Sequence, residues 1–304
     1  MHHEDPRLSL ATVLYGGREV LVRTLPTWRA ATEAVGVPTL IVDNSEADDA
    51  AGVVAEALPD AHVIRRPTNP GFAASANEAV ASSTTDWVLL LNADVFLTVE
   101  ALTRCLEWIG DASRDPIHEC AAISLVTQGE EHCGVELNAV GYFSDRPAGA
   151  SRPPLGPSGG AALVSRSLFE AVGGFDADLF AWGEDGGFSL RLAAQGVRTH
   201  ALRLALPHVG GHSVASIEGQ RFKARLLARN RIRVMRRDWT VPLKVTLGPA
   251  QLVLILLNGL RKLKFGTAGP HFAGAMAALG ESVRQRGDYR FGIGDFASYW
   301  TARM

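Results

Sequence analysis

Short apolar runs alternate with helical segments along the first part of the chain, and this pattern limits the fold more than any other feature. Strands are predicted at 8–15, 38–42, 62–65 and 87–91, and helices lie between them at 19–35, 48–57 and 71–82. Strands that alternate with helices favour a mostly parallel, doubly wound α/β sheet. Ligands of such sheets bind beyond the carboxyl ends of the strands.

The second part of the chain is less regular. Residues 115–157 are rich in Gly, Pro and charged side chains, and we predict irregular strands and loops there. Regular elements return after this segment as a strand at 159–164, helices at 167–172 and 184–195, and a strand at 199–206.

The C-terminal region has a different character. Residues 221–237 predict a helix crowded with Arg and Lys, and 245–260 are nearly all apolar but interrupted by Gly248 and Pro249. The apolar stretch is shorter than the ~20 residues that a spanning helix needs. A second basic cluster follows: Arg261, Lys262 and Lys264. This order is typical of an element on a membrane surface. A buried helix beside a solvated basic helix is the alternative.

Composition excludes several classes. A net charge of −2 gives the whole molecule no strong attraction to nucleic acid, so we predict no nucleic-acid partner. Cys105, Cys120 and Cys133 match no zinc pattern and are expected to be reduced, at least partly buried thiols. The polar N-terminus has no apolar signal-peptide core, so we expect a cytoplasmic protein.

Two acidic sites stand out. Asp94 follows the apolar strand at 87–91, where a hard oxygen ligand could hold Mg²⁺ or Mn²⁺ against a diphosphate; a turn-forming aspartate is the alternative. Glu184 and Asp185 begin a predicted helix, where acids also serve simply as caps. Trp182 and Gly183 precede them, and these residues suit an aromatic wall and a close backbone approach in a ligand cleft.

Histidines and glycine-bearing turns complete the candidates. His208 and His212 surround a Gly pair and predict either metal ligands or surface histidines on a loop; His208 is better placed because a strand precedes it. Backbone amides in two turns could face a diphosphate or a sugar, or could simply form turns: Asn69, Gly71 and Phe72 with Asn77, and Gly159 with Gly160. Neither turn matches the phosphate-loop or dinucleotide pattern, which counts against a kinase, an ATPase or a nicotinamide enzyme.

Taken in order, these motifs resemble glycosyltransferase family 2, whose members are inverting enzymes of the GT-A fold. The resemblance spans about 10–213 and rests on seven segments: 41–45, 69–72 with Asn77, 90–95, 159–161, 172–176, 182–185, and His208 with Gly211 and Ser213. It implies a GT-A catalytic domain at 1–218, with a nucleotide-sugar half at about 1–115 and an acceptor half at about 116–218. A helical extension at 219–304 would follow.

The resemblance also implies roles for the matching residues. Asp185 would be the general base, assisted by Glu184, and Asp94 with His208 would hold Mg²⁺ or Mn²⁺. The donor would be bound by Tyr15, Asp43, Asn44, Asn69, Gly71, Phe72, Asn77 and Asn92. The acceptor would be bound by Gly159, Gly160, Trp182 and Gly183. The chain departs from the family pattern at Gly16, Asn92 and Gly187, which stand where the family often has an Asn and two acids.

The leading hypothesis is a rhamnosyltransferase-like enzyme of cell-surface polysaccharide or glycoconjugate assembly. It would use dTDP-rhamnose or a UDP-sugar and a lipid-linked or other glycan acceptor at the inner face of the plasma membrane. Three alternatives remain. One is an inactive membrane-associated scaffold, and another is a natural-product transferase whose tail forms a dimer or a core helix. The third is a nucleotidyltransferase, which only Arg18 supports.

Overall fold

The computed structural model describes residues 7–45, 50–210, 216–282 and 289–302 of the 304-residue chain. Three residues of the sequence motifs, Gly211, His212 and Ser213, lie outside the described residues.

The first half of the fold alternates strands and helices as predicted. Its elements are β1 (Leu8–Leu14), α1 (Arg18–Val35), β2 (Thr39–Asp43), α2 (Ala51–Ala57), β3 (His62–Arg65), α3 (Phe72–Ser82), β4 (Trp87–Leu91) and α4 (Val99–Gly110). The helix α4 was not predicted.

The second half contains more regular structure than the sequence predicts. Its elements are β5 (Glu119–Thr127), β6 (Glu130–Leu137), β7 (Phe143–Pro147), β8 (Ala161–Ser165), α5 (Arg166–Ala171), a 3-10 helix (Ala177–Leu179), α6 (Glu184–Ala194) and β9 (Arg198–His208). The expectation of irregular structure at 115–157 is wrong for β5, β6 and β7. Gln128 and Gly129 both have positive φ and close a two-residue hairpin between β5 and β6, so the Gly marks a tight turn.

Strand directions decide where the polar loops meet. Among the described residues, nine strands form one sheet in the order β3-β2-β1-β4-β8-β5-β6-β7, with β9 paired to β5. β3, β2, β1 and β4 are parallel, and β8 is antiparallel to both β4 and β5. Since β9 is parallel to β5, it also runs in the direction of β4. The carboxyl ends of β1, β2, β4, β5 and β9 therefore lie at one edge, together with the amino end of β8.

Helices cover both faces of the sheet. The α1, α2 and α4 helices bury apolar side chains against one face, and α3, α5 and α6 against the other. This arrangement confirms the predicted doubly wound α/β architecture. Cys105, Cys120 and Cys133 are buried and free, as predicted, and burial raises the pKa of each thiol to between about 11 and about 12.

The C-terminal region is helical, as predicted, and packs on the second half of the sheet. It comprises α7 (Ile217–Asp238), α8 (Val241–Arg261), a 3-10 helix (Lys262–Phe265), α9 (Ala268–Gly280) and α10 (Ile293–Thr301). Val234 and Trp239 share an apolar cluster with Val135 of β6 and Leu190 of α6. Asp238 is buried and forms an ion pair with Arg191 of α6 at 3.1 Å. The end of α7 is therefore fixed to the helix that begins at the acidic pair.

The predicted apolar stretch at 245–260 is part of a longer helix, because α8 begins at Val241 and continues through Gly248 and Pro249. Pro249 lies on the exposed side of the helix, where the carbonyl that loses its intrahelical partner can reach solvent. By length and composition, Val241–Phe265 could cross a membrane, and 28% of its most apolar window is buried. We call its large exposed apolar side chains the apolar ridge: Val241, Val245, Leu252, Val253, Leu256, Leu257, Leu260, Leu263 and Phe265.

Candidate functional site

The carboxyl edge of the sheet gathers most of the predicted site residues. Tyr15 follows β1 and is exposed, Asp43 ends β2, Asn92 follows β4, and His208 ends β9. Gly160 precedes β8, and because β8 runs in the opposite direction, its amino end lies at this edge. The backbone amide of Asn92 donates to the Gly160 carbonyl at 2.9 Å. Five separate segments thus form one continuous polar surface.

The part of the edge beside β1 and β2 is closed by short polar contacts. The buried Asp43 carboxylate accepts from the Ser45 amide at 2.9 Å, and the Arg65 Nε lies 3.8 Å from its other oxygen. The Gly16 amide donates to Ser45 Oγ at 2.8 Å, which ties the loop after β1 to the loop after β2. Asn44 is turned inward and accepts from the Ser75 hydroxyl of α3. Asp43 and Tyr15 therefore border the edge, while Asn44 anchors it.

The predicted donor residues around α3 mainly connect it to the chain before α6. Asn69 Oδ1 accepts from the Gly71 amide at 2.8 Å, and Gly71 has φ 94°. A Cβ on Gly71 would lie 2.6 Å from the Phe180 ring, so only glycine allows this approach. The Asn77 side chain donates to and accepts from the backbone of Phe175 at 2.9 and 2.8 Å. These contacts occupy the Asn77 amide with a structural task.

Phe72 bridges this region to the acidic pair. Its half-buried ring packs against Phe175 with centroids 6.2 Å apart. On its other side, a Cβ added to Gly159 would meet the Phe72 ring at 3.1 Å. The absence of a side chain at Gly159 therefore lets the turn before β8 lie close to Phe72.

Asp94 and His208 form a pair across β4 and β9. His208 Nε2 lies 3.0 Å from Asp94 Oδ1, and the Gly210 amide donates to Asp94 Oδ2 at 3.1 Å. The other ring nitrogen of His208 lies 2.9 Å from Thr127 Oγ1 at the end of β5. The two polar contacts fix the orientation of the imidazole ring.

Two side chains of α1 donate hydrogen bonds to the loop that carries Asp94, and neither residue belongs to the sequence motifs. Thr24 Oγ1 donates to the Ala93 carbonyl at 2.7 Å, and Trp28 Nε1 donates to the Val95 carbonyl at 2.8 Å. Thr24 and Trp28 are one helical turn apart on the buried face of α1. Their spacing predicts a buried pair but gives no sign of its target.

The donor set at Asp94 and His208 fits a divalent cation. A carboxylate and an imidazole supply two ligands, and within the described ranges no group of three or more His, Cys, Asp or Glu side chains is arranged to hold a metal ion. Mg²⁺ and Mn²⁺ commonly take few protein ligands and complete their coordination with water and substrate phosphates. The pair therefore suits a cation that is held jointly by protein and diphosphate.

Glu184 and Asp185 lie on the other side of the Gly159–Gly160 turn. Glu184 is buried, and its Oε2 has no hydrogen-bond partner among the described residues. Asp185 is half-buried; its two oxygens accept from the Gly186 amide at 2.8 Å and the Gly159 amide at 3.4 Å. Gly183 is the N-cap residue of α6 and has no side-chain cap, so neither acid serves as the N-cap of this helix.

Burial makes both carboxyls weak acids. It raises the pKa of Glu184 to about 8, with a further rise from the charge of Asp185. It raises the pKa of Asp185 to about 6, and the charge of Asp145 on β7 adds to the rise. Desolvation disfavours the ionised form, so Asp185 can both lose and accept a proton near neutral pH. The sequence motifs contain no sign of Asp145, because strand pairing alone brings it close.

The segment before α6 is held by one residue of the C-terminal helices. Asn230 of α7 is fully buried, and its Nδ2 lies within 2.9 Å of the carbonyls of Leu179, Ala181 and Trp182. Trp182 has φ 61°, a strained value for a side-chain-bearing residue. The Asn230 contacts therefore stabilise a backbone conformation of this segment that is unfavourable in free energy without them. Sequence reasoning missed Asn230 because it lies among the basic residues of α7.

Residues 13–173, more than half of the chain, match the family model described as glycosyl transferase family 2. The chain belongs to this family. The match confirms the predicted resemblance, and the protein is a glycosyltransferase.

Solved structures share its fold. The mannosyltransferase PcManGT from Pyrobaculum calidifontis, in complex with GDP-Man and Mn²⁺, is 18% identical with a TM-score of 0.57; the match covers 91% of this chain and 76% of that chain. S. aureus TarS 1-349 is 14% identical with a TM-score of 0.51, and the match covers 95% and 97% of the two chains. At these identities the likeness concerns the fold alone, and it confirms the GT-A prediction. No curated protein matches the chain.

Within this glycosyltransferase, the two polar groups are close but chemically separate. Asn92 and Gly160 lie between them: a Cβ on Gly160 would meet Asn92 Nδ2 at 2.7 Å, and one on Gly159 would meet Glu184 Oε1 at 3.0 Å. The Asp94–His208 pair can hold negative charge through a cation, whereas the Glu184–Asp185 pair can take up a proton. The two glycines therefore allow the turn before β8 to pass close to both Asn92 and Glu184.

We predict that Asn230→Ala lowers the free energy of unfolding by about 1–3 kcal/mol, because the partly buried carbonyls of Ala181 and Trp182 lose their donor. The transferase should also lose activity, since the Trp182 segment loosens. Chemical denaturation and a transfer assay measure the two effects. Asn258→Ala is the matched control, because half-buried Asn258 donates only to the Tyr142 hydroxyl. Equal effects of the two substitutions would contradict this account of Asn230.

We predict that Asp145→Asn shifts the acidic limb of the pH–activity profile to lower pH. A base must be deprotonated, so activity should rise with pH through the pKa of Asp185, about 6. Removal of the nearby negative charge lowers that pKa. The measurement is kcat/KM against pH, with Asp60→Asn, an exposed aspartate on a distant turn, as the control. A limb that moves equally in both variants, or in neither, would rule out the proposed coupling.

Proposed function

We propose that this glycosyltransferase is an inverting enzyme that moves one sugar from a nucleoside-diphosphate donor to an acceptor hydroxyl. The observation that carries the proposal is the half-buried Asp185, a carboxyl with a raised pKa across the Gly159–Gly160 turn from the Asp94–His208 pair. Inversion needs a base on the side of the sugar opposite the leaving group. In this arrangement Asp185 would be the base, and the Asp94–His208 pair would lie on the side of the leaving group.

The chemical step follows from this placement. Asp185 accepts the proton of the acceptor hydroxyl while the acceptor oxygen forms a bond to the anomeric carbon. The bond from that carbon to the diphosphate oxygen breaks, and its electron pair leaves with the nucleoside diphosphate. Glu184, which is predominantly protonated below its pKa of about 8, is then a hydrogen-bond donor toward the acceptor.

The leaving side belongs to Asp94 and His208. These residues would hold Mg²⁺ or Mn²⁺, which offsets the negative charge of the departing diphosphate when it is bound. The donor is dTDP-rhamnose or a UDP-sugar in our proposal. Tyr15 and Asp43 would contact the nucleotide, because they lie at the same edge beside β1 and β2. Mn²⁺ and GDP-Man in the mannosyltransferase structure support a metal-assisted nucleotide-sugar donor.

We further propose that residues 1–218 form the catalytic domain and that the extension at 219–304 rests on the cytoplasmic face of the plasma membrane. The apolar ridge of α8 is exposed, and Arg261, Lys262 and Lys264 lie at its end. Apolar side chains flanked by basic ones suit a surface of anionic lipid. The acceptor would be a lipid-linked glycan of cell-surface polysaccharide assembly, presented at that surface. If the apolar ridge lies on the membrane, it is not available for contact with a second copy of the chain in a homodimer.

The base assignment predicts that Asp185→Asn retains donor binding but lowers turnover by ~10²–10⁴, the usual contribution of a general base. Turnover is measured as the release of nucleoside diphosphate from a panel of UDP-, dTDP- and GDP-sugars. Donor binding is measured separately as the affinity for the nucleotide. Glu184→Gln is the matched neighbour and should lose less activity. Turnover near wild type in Asp185→Asn would remove Asp185 from the role of base, and a larger loss in Glu184→Gln would transfer that role to Glu184.

A further inference from the structure

Three cations of the C-terminal helices lie together near Trp182, a predicted acceptor-binding residue. Lys223 and Arg231 are on α7, and Lys262 follows α8. Lys262 interacts electrostatically with both, and burial together with these two positive charges lowers its pKa. All three side chains are half-buried rather than extended into solvent. Like charges in partly buried positions repel each other, so the cluster costs stability unless an anion joins it.

The cluster is attached directly to the walls of the site. Lys223 Nζ lies 5.7 Å from the centre of the Trp182 ring. The Arg231 guanidinium lies 3.4 Å from the centre of the Tyr142 ring and 5.2 Å from that of Phe143. Phe143 in turn packs against the start of α6, since a Cβ on Gly186 would meet its ring at 2.6 Å. Gly186 directly follows Asp185, so the Phe143 ring lies between Arg231 and the start of α6.

Two arginines of α7 have carboxylate partners. Arg233 pairs with Glu281, and Arg237 pairs with Asp176 and Asp178. In the part of the chain that the structure describes, no carboxylate forms an ion pair with Lys223, Arg231 or Lys262. The Nε and Nη1 atoms of Arg231 are covered and have no hydrogen-bond partner among the described residues, and burial lowers the pKa of Arg231 to about 9.

We propose that Lys223, Arg231 and Lys262 form an anion subsite for the phosphate or diphosphate group of the acceptor. This inference rests on the proposed function, since it assumes that the acceptor lies beside Asp185. An uncharged glycan needs no such cluster, whereas a diphosphate carries enough negative charge to neutralise most of it.

The surroundings of Lys262 fit an acceptor whose phosphate carries an apolar chain. Leu260 and Leu263, which flank Lys262 in sequence, are 47% and 64% exposed and belong to the apolar ridge. A lipid attached to a phosphate at Lys262 can therefore leave along the ridge toward the membrane. The sugar attached to the other side of the phosphate points to Trp182 and the acidic pair. The cluster would thus set the distance between the membrane and the reacting hydroxyl.

The test uses the full-length protein and geranyl diphosphate, a short soluble prenyl diphosphate, in EDTA to prevent metal-dependent binding at Asp94 and His208. Calorimetry should detect binding to wild type and none of geraniol. Lys262→Gln and Lys223→Gln should each weaken the affinity about tenfold or more, as expected for one charge-assisted contact. Lys264→Gln removes the same charge two residues away, from an exposed position, and should leave the affinity unchanged.

Three results would overturn the subsite. One is equal weakening by Lys264→Gln, which would indicate unspecific attraction. Another combines two observations on Lys262→Gln: its affinity for geranyl diphosphate is unchanged, but it binds more weakly to phosphatidylcholine vesicles with about 30 mol% phosphatidylglycerol. The cluster would then bind lipid headgroups. In the third, the wild-type protein binds a nucleotide with Mn²⁺ but does not bind geranyl diphosphate. If no nucleotide binds at all, the proposed function itself fails.

Discussion

The shared direction of β4 and β9 is the constraint on which the site depends. Because β8 is antiparallel to β4 and to β5, β9 ends at the same edge as β4, and His208 reaches Asp94 at 3.0 Å. The same reversal brings the amino end of β8, with Gly159 and Gly160, between this pair and the acidic pair. A parallel strand in the place of β8 would direct that glycine turn to the opposite edge. One strand reversal thus assembles both halves of the site.

The C-terminal helices pack directly against the segment and the helix that carry the proposed base. Asn230 holds the carbonyls of the Trp182 segment, and Asp238 pairs with Arg191 of α6. Arg231 stacks on the aromatic pair that backs the start of α6. The same helix therefore sets the position of the proposed base and, in our proposal, carries cations for the acceptor. This coupling explains why α7 combines buried polar residues with many positive charges.

Sequence alone predicts the fold well where hydrophobic periodicity decides it. The strands at 62–65 and 87–91 have the predicted bounds, and the alternation of strands and helices shows their parallel order. The sequence predicts less where long-range pairing decides. The strands β6 and β7 contain turn residues and charges, and their regularity comes from their neighbours in the sheet. The strand β5 is an apolar run that local sequence pattern could have revealed. Pro249 likewise suggests an interruption that an exposed position in α8 avoids.

The candidate site shows the same division. Asp94, Glu184, Asp185 and His208 are predictable because motif spacing places each at the end of a strand or the start of a helix. Local spacing contains no sign of three others, Trp28, Asp145 and Asn230, since each reaches the site from a distant segment. Asn77 is a third case: its motif is predictable, but the structure employs its amide to hold the backbone of Phe175.

The central claim is that Asp94 and His208 bind a nucleoside diphosphate through a divalent cation. Thermal unfolding of wild type and Asp94→Ala in the presence of UDP, dTDP or GDP, each with Mn²⁺, Mg²⁺ or EDTA, tests it most directly. A ligand at ~100 times its dissociation constant stabilises the folded state by about 2.7 kcal/mol, a readable shift in Tm. The account predicts stabilisation by one nucleotide that needs metal and is lost in Asp94→Ala. Stabilisation that persists in EDTA or in Asp94→Ala, or none with any nucleotide, would contradict it.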